Sequence, residues 1–158
     1  MEIYRWLKGF ATAARQPKGE GRKTSAILAI IMMPATAIVI FAHGSSIESA
    51  NDSVRRVAEK VGREGGFDLI EAAFLEQGRP DLPGAIAAAA EKGATRIIVV
   101  PYFLTLGIHL QRDLPNIVNE LARAHKGIDI RVTPPLDGHT ELANILKERA
   151  RDAFRDED

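Results

Sequence analysis

The segment Thr36-Ala-Ile-Val-Ile-Phe-Ala-His-Gly-Ser-Ser46 is a short apolar run that ends in a histidine. Its six apolar residues, 37–42, include three β-branched ones and are typical of a strand buried on both faces. Serines follow Gly44 and precede a helix-like recurrence of apolar residues, so we expect a hydroxyl group to cap a helix there. The pattern predicts that His43 lies at the carboxyl end of a central strand, where open α/β sheets bind ligands.

The same alternation of strand and helix continues to the end of the chain. We expect helices near residues 48–63, 81–92, 113–125 and 138–154, and further strands at 67–75, 96–101 and 128–133. Asp81 is predicted to cap the second helix, and Asp113 the third, which Pro115 enters in its first turn. Four βα units predict an α/β fold with a four-stranded parallel sheet and helices on both faces. We expect the flavodoxin-like strand order 2-1-3-4, with a ligand crevice between strands one and three.

Composition limits the classes of function. At 158 residues and 46% apolar, the chain fits one domain, which we place at residues 34–158. Its 21 basic and 21 acidic side chains cancel, so no nucleic-acid partner is expected. The chain has no cysteine, so a metal would be held by histidine and carboxylate, and a reducing cytoplasm fits this composition.

Residues 1–33 differ from the rest of the chain. They form a basic, glycine-interrupted segment followed by the apolar run 26–33. We expect a disordered N-terminal extension. A secretory signal is the alternative, because residues 35–37 imitate a small-residue cleavage site, but cleavage there would remove most of the first strand. The apolar run is too short for stable membrane insertion.

Three side chains are predicted to converge on the crevice. His43 follows strand one, Glu76 follows strand two, and His109 lies in the mostly apolar loop 102–112 after strand three. Long loops inside a compact domain usually carry function. Each residue also has a structural explanation, as a hydrogen-bonded histidine or a solvated carboxylate. Together they indicate an N,N,O site for a divalent first-row metal.

Three motifs resemble those of the CbiX-type sirohydrochlorin chelatases, in their short, single-half form. They are His43-Gly44-Ser45, Phe74-Leu75-Glu76 followed by Pro80, and Val99-Val-Pro-Tyr-Phe-Leu104 leading to Gly107-x-His109 and Asp113-Leu-Pro115. The resemblance implies an ATP-independent cobaltochelatase or ferrochelatase, a lyase of cobalamin or siroheme biosynthesis that uses no nucleotide. The metal is then a substrate, cobalt by preference, with nickel or iron as alternatives. It also implies that His43, Glu76 and His109 are metal ligands and catalytic groups, and that the chain pairs as a homodimer.

A sirohydrochlorin-like tetrapyrrole carries many carboxylates around an apolar ring. Arg112 and Arg79 are therefore candidate carboxylate clamps. Ser45 and Ser46, with backbone N–H groups at the helix start, can bind anionic groups. The apolar residues of the loop 102–112 would meet the ring face, and they are Leu104, Leu106 and Ile108. Gly107 in the same loop is a further candidate substrate contact.

Three other functions compete with metal insertion. A serine hydrolase would place its nucleophile in Gly-x-Ser-x-Gly, which is missing around Ser45. A phosphohistidine enzyme would normally have an arginine before the His-Gly pair, where Ala42 stands. A non-catalytic metal or tetrapyrrole carrier keeps the same ligands and stays open as the alternative.

Overall fold

The computed structural model describes residues 35–154, and for His109 it describes the backbone alone. Strands and helices alternate strictly in this range. They are β1 Thr36–Gly44, α1 Glu48–Gly65, β2 Leu69–Gln77, α2 Leu82–Glu91, β3 Arg96–Pro101, α3 Ile108–Ala124, β4 Asp129–Val132 and α4 Thr140–Asp152. The neighbouring strands are parallel and their order is β2-β1-β3-β4. The predicted order 2-1-3-4 is confirmed.

β1 is a central strand and is buried on both faces, as its composition predicts. One face packs in an apolar cluster with α1 and β2, formed by Ile38, Ile40, Ala42, Ala58, Ala72 and Phe74. On the opposite face, Ala37, Val39 and Phe41 are at most 2% exposed. Right-handed crossovers place α2 and α3 on that opposite side, so helices cover both faces of the sheet. The polar end of β1 is therefore the part of the strand that is open to solvent.

The third helix begins earlier than predicted. Residues 102–112 do not form one long loop, because α3 starts at Ile108 and places His109 in its first turn. Asp113 is consequently not the N-cap, and Pro115 lies inside the helix. The helix extends back because its buried residues keep a helical spacing from Leu110 onward. They are Leu110, Leu114, Ile117, Val118 and Leu121. Burial of this stripe outweighs the hydrogen bond that Pro115 cannot donate.

Two other local predictions are corrected. β2 runs to Gln77, so Glu76 belongs to the strand and not to the loop after it. The N-cap of α1 is Ile47, whose side chain makes no capping bond. The predicted hydroxyl does act locally, because Ser45 Oγ accepts a hydrogen bond from the Ile47 N–H at 3.1 Å. The cap predicted at Asp81 is confirmed, since its Oδ1 accepts from the Gly84 N–H at 2.9 Å.

Residues 1–33, which we predict to be a disordered extension, lie outside the described residues. Within the part of the chain that the structure describes, every helix is too short or too polar to span a lipid bilayer.

Gly44 provides a test of how tightly β1 and β2 approach each other. Its φ is +88°, and a Cβ atom there would lie 1.7 Å from the Gln77 carbonyl oxygen. We expect Gly44→Ala to lower the free energy of unfolding by more than the roughly 1–2 kcal/mol that a left-handed alanine costs alone. Gly93→Ala is the matched control, since Gly93 has the same φ of +88° and nothing within 4 Å of its Cβ position. Equal losses for the two variants in urea unfolding would show that the contact with Gln77 is unimportant.

Candidate active site

The histidine of β1 and the glutamate of β2 meet at the carboxyl edge of the sheet. His43 Nε2 lies 3.9 Å from Glu76 Oε1. Both side chains are more than half exposed, at 61% and 55%. Two groups that can bind a metal or accept a proton therefore face one another at an open surface.

A register shift brings these two residues together. Ala42 pairs with Phe74, but Gly44 pairs with Gln77, so β2 advances three residues while β1 advances two. The extra residue interrupts the regular pairing where His43 and Glu76 lie. Such bulges redirect side chains and occur frequently beside functional sites. Gly44 permits the shift, because any side chain there would collide with the Gln77 carbonyl.

Phe103 supports the imidazole from the loop after β3. Its ring centroid lies 6.5 Å from that of His43 and 5.8 Å from that of buried Phe41, both edge to face. Aromatic pairs in this arrangement attract each other beyond simple burial. Sequence reasoning did not assign Phe103 a role, although its place directly after a buried strand was a usable signal.

Asn51 fixes the loop that follows His43. It is a polar side chain of α1 and is only 2% exposed. Its Oδ1 accepts from the Ser45 N–H at 2.9 Å, while its Nδ2 donates to the Ser45 carbonyl at 2.9 Å. The amide thus pairs with both backbone groups of one residue. The burial of Asn51 was not predictable from the sequence, because an asparagine inside a helix normally faces solvent.

Arg55 extends this network toward the loop after β2. Its Nη1 donates to Glu48 Oε1 and to Asp52 Oδ1, each at 2.6 Å, and its Nη2 donates to the Arg79 carbonyl at 3.1 Å. The hydrogen bond from Arg55 lowers the pKa of Glu48, and the hydrogen bond from Asn51 lowers it further by a smaller amount. Glu48 is therefore ionised at neutral pH, and this hydrogen bonding is lost only as the pH falls through that lowered pKa.

The third predicted ligand lies on the same edge of the sheet. His109 occupies the first turn of α3, directly after the β3 loop, and β3 pairs with β1. The position of its side chain lies outside what the structure describes. Among the described side chains, which exclude that of His109, no three histidines, cysteines or carboxylates cluster closely enough to hold a metal ion.

The predicted substrate-binding residues near this edge differ in how exposed they are. Leu104 and Ile108 are 68% and 83% exposed, on either side of the Gly107 N-cap. Ser46 is exposed, whereas Ser45 is half-buried and its hydroxyl already bonds the backbone of Ile47. The exposed apolar surface of Leu104 and Ile108 is suited to contact with a planar ring, which would cover it.

Both candidate arginine clamps are engaged by neighbouring carboxylates. Arg112 Nε donates to Asp113 Oδ1 at 3.1 Å, and Arg79 Nη1 lies 3.6 Å from Asp81 Oδ2. Both guanidinium groups are largely exposed. A guanidinium has five N–H donors, so either arginine can bind a second carboxylate in addition.

A family model matches most of the region that carries these features. It is the CbiX model, and the match covers residues 37–153. The chain belongs to the CbiX family. The family predicted from the three motifs is therefore confirmed.

Curated relatives in the family are named as chelatases. The chain is 38% identical over 141 residues to the sirohydrochlorin cobaltochelatase of Methanopyrus kandleri, covering 77% of this chain and 99% of that protein. It is 29% identical over 115 residues to the chloroplastic sirohydrochlorin ferrochelatase of Arabidopsis thaliana, covering 73% of this chain. The chain spans only 51% of the Arabidopsis protein and 63% of the cobaltochelatase of Methanocaldococcus jannaschii.

Solved structures in the family share the fold. A CbiX protein assigned to cobalamin biosynthesis from Marinobacter aquaeolei VT8 superposes with a TM-score of 0.67 at 26% identity, covering 76% of this chain and 98% of that one. The sirohydrochlorin chelatase SirB from Bacillus subtilis subspecies spizizenii, solved in complex with cobalt, gives 0.68 at 26% identity. That alignment covers 74% of this chain and 50% of SirB.

Proposed function

We propose that this chain is a sirohydrochlorin metal chelatase, a lyase that inserts a divalent metal into a tetrapyrrole without ATP. Cobalt is the favoured metal, and nickel or iron are the alternatives. Two findings support the proposal: membership of the CbiX family and the paired His43 and Glu76 at the open edge of the sheet. The proposed pathways are cobalamin or siroheme-type biosynthesis, since relatives are named for both cobalt and iron insertion.

The distance between His43 and Glu76 is the observation that carries the proposal. Bonds from a divalent metal to imidazole nitrogen and carboxylate oxygen are each about 2.1 Å long, so two such ligands can lie up to about 4.2 Å apart. His43 Nε2 and Glu76 Oε1 are 3.9 Å apart and can both reach one ion. The same distance is too long for a direct hydrogen bond between them.

His109 is the proposed third ligand. Parallel neighbours β1 and β3 end at the same edge of the sheet, and His109 lies in the first turn of the helix that follows β3. Two imidazoles and one carboxylate form a ligand set suited to divalent first-row metals. This set also leaves coordination positions for water and for the pyrrole nitrogens of the substrate.

An open site with few ligands suits a metal that must be delivered. Both described ligand side chains are more than half exposed, so the metal is accessible from the solvent side. The sequence contains no cysteine, so no thiolate can hold the ion. Such a site binds the metal firmly enough to orient it and weakly enough to release it.

Protons and charge balance in the proposed reaction. One divalent ion enters the ring and two pyrrole N–H protons leave, so the net charge of the ring is unchanged. Each ligand that releases the metal regains a lone pair, which can accept a departing proton. Imidazole is the commonest general base in proteins, so His43 and His109 can act in this way, and Glu76 provides a carboxylate beside His43. The same three residues therefore serve as metal ligands and as bases.

Residues near the carboxyl edge of the sheet supply the proposed substrate contacts. Leu104 and Ile108 offer exposed apolar surface beside Gly107, and this surface would pack against the ring face. Ser45 and Ser46 precede α1, where backbone N–H groups favour anionic groups. Arg112 has N–H donors beyond the one that binds Asp113 and is the proposed clamp for a substrate carboxylate.

Single substitutions at the three ligands test the proposal. Losing a residue that merely orients a metal ligand typically costs 10–100-fold, so we expect His43→Ala and His109→Ala each to slow cobalt insertion by about 100-fold or more. Glu76→Gln should slow insertion more than it weakens cobalt binding, because an amide oxygen can coordinate but cannot accept the proton. Insertion is followed by the visible spectrum of sirohydrochlorin over several turnovers.

The exposed histidine at the start of α4 provides the control. His139→Ala removes an imidazole whose Nδ1 accepts a hydrogen bond from the nearby Glu141 N–H, and it should leave the insertion rate unchanged. If His43→Ala and His109→Ala insert cobalt at near the parental rate, the site assignment is wrong. A parental protein that completes one turnover and stops is a carrier rather than an enzyme.

We also propose that the chain works as a homodimer. It spans about half of SirB and of the Arabidopsis ferrochelatase, so those relatives have room for a second unit of this size. The site is open on its outer side, and a second copy would supply a facing wall for a large planar substrate. Light scattering should give twice the mass of one chain. A monomer that retains full activity at nanomolar concentration would contradict the dimer.

Two further proposals concern the ends of the chain and its location. Residues 34–158 form the working domain in this proposal, because the family match begins at residue 37 and the first strand at Thr36. A chain that begins at Met33 should keep the chelatase rate and the thermal stability of the full chain.

The cytoplasm is the proposed compartment, on the ground that the sequence contains no cysteine.

A further inference from the structure

The side chain of Asn51 joins the two loops that follow the ligand-bearing strands. On one side its amide pairs with the N–H and the carbonyl of Ser45, two residues after His43. On the other side it lies against Gly78, two residues after Glu76, where an added Cβ atom would be 3.2 Å from Asn51 Nδ2. Gly78 has a φ of +107°, so its backbone conformation favours glycine as well.

The neighbours of Asn51 reinforce this connection between the loops. Glu48 Oε2 accepts a second hydrogen bond from Asn51 Nδ2 at 3.1 Å, and Glu48 Oε1 accepts from Arg55. Arg55 in turn donates to the Arg79 carbonyl in the loop after β2, and its guanidinium carbon lies 5.3 Å from the centre of the Phe74 ring. The hydrogen bonds therefore run without a break from the loop after His43 to the loop after Glu76.

We propose that Asn51 is a positioning residue that sets the separation of His43 and Glu76. The inference rests on the proposed function, in which these two side chains bind one metal ion. The pairing of β1 and β2 is irregular at these two residues, so the sheet alone does not fix their spacing. The backbone after His43 is held by Asn51, whose buried side chain bonds both the N–H and the carbonyl of Ser45.

The role requires asparagine rather than aspartate. Asn51 accepts one hydrogen bond from Ser45 and donates two, to the Ser45 carbonyl and to Glu48. An ionised aspartate could accept the first, but its other oxygen would face the Ser45 carbonyl and the Glu48 carboxylate, which are both acceptors. The position therefore needs an acceptor toward the Ser45 N–H and donors toward the Ser45 carbonyl and Glu48, which an amide side chain provides.

Cobalt affinity and thermal stability, measured on the same proteins, test the inference. Asn51→Ala should raise the dissociation constant for Co²⁺ by about 10-fold or more in calorimetric titration, the usual effect of losing a group that orients a metal ligand. Asn51→Asp keeps the size of the side chain and should also weaken cobalt binding. Adding Glu48→Gln to Asn51→Asp restores a donor opposite the new carboxylate and should recover part of the affinity.

A destabilised control separates positioning from general loss of stability. Ala58→Gly weakens the same helix at a buried position that is not among the hydrogen-bond partners of Asn51 or Ser45. It should lower the melting temperature while leaving the Co²⁺ dissociation constant unchanged. If it weakens cobalt binding as much as Asn51→Ala does, Asn51 acts only through stability and the inference is overturned.

His43→Ala, measured in parallel, distinguishes failure of the inference from failure of the proposed function. If His43→Ala loses cobalt affinity while Asn51→Ala and Asn51→Asp keep it, Asn51 has no positioning role and the proposed site stands. If His43→Ala keeps the parental affinity, the proposed metal site and the positioning role are both wrong. Should Asn51→Ala fail to fold, Asn51→Asp and its combination with Glu48→Gln give the same decision.

Discussion

The arrangement of the site depends on the close contact between Gly44 and the Gln77 carbonyl oxygen. No side chain fits between them, and the pairing of β1 and β2 slips by one residue at this point. The slip occurs at a strand end, where losing regular ladder bonds costs little because water can satisfy the freed groups. It places His43 and Glu76 across from one another at the edge of a sheet whose interior is rigidly packed. The packed sheet thus holds the backbone in place, and the irregular strand end presents the side chains of His43 and Glu76.

The surroundings of His43 and Glu76 suit a metal ion that is bound and then released, rather than one held permanently as a structural ion. A structural metal site is closed by four ligands and is often buried. Here the side chains of His43 and Glu76, two of the proposed ligands, are more than half exposed, while Asn51, which holds the backbone after His43, is buried. A rigid backbone with accessible ligands lets the ion exchange without the protein unfolding or rearranging. This division between buried support and exposed proposed ligands gives a physical basis for the proposed transfer of the metal to a macrocycle.

The sequence was sufficient for the architecture and for the neighbourhood of the site. Buried strands of β-branched residues alternate with helical periods, and the strand order then places the carboxyl ends of β1, β2 and β3 at one edge. The start of α3 was not predictable from local signals, because Asp113 and Pro115 imitate a helix beginning and only the burial of Leu110 shows otherwise. The slip at Gly44 and the burial of Asn51 depend on contacts between segments distant in sequence. The proposed function was inferred from motifs that resemble a family, and the family match confirms that the chain belongs to that family.

The location of a bound cobalt ion tests the central claim most directly. Crystals of the full chain grown with one equivalent of Co²⁺ can be measured at the cobalt absorption edge, where anomalous scattering locates the ion independently of any prior assignment. The proposed site predicts one strong peak within about 2.3 Å of both His43 Nε2 and Glu76 Oε1, and the same distance from a nitrogen of His109. A peak that lies elsewhere, or a fully occupied ion bound by neither His43 nor Glu76, would contradict it.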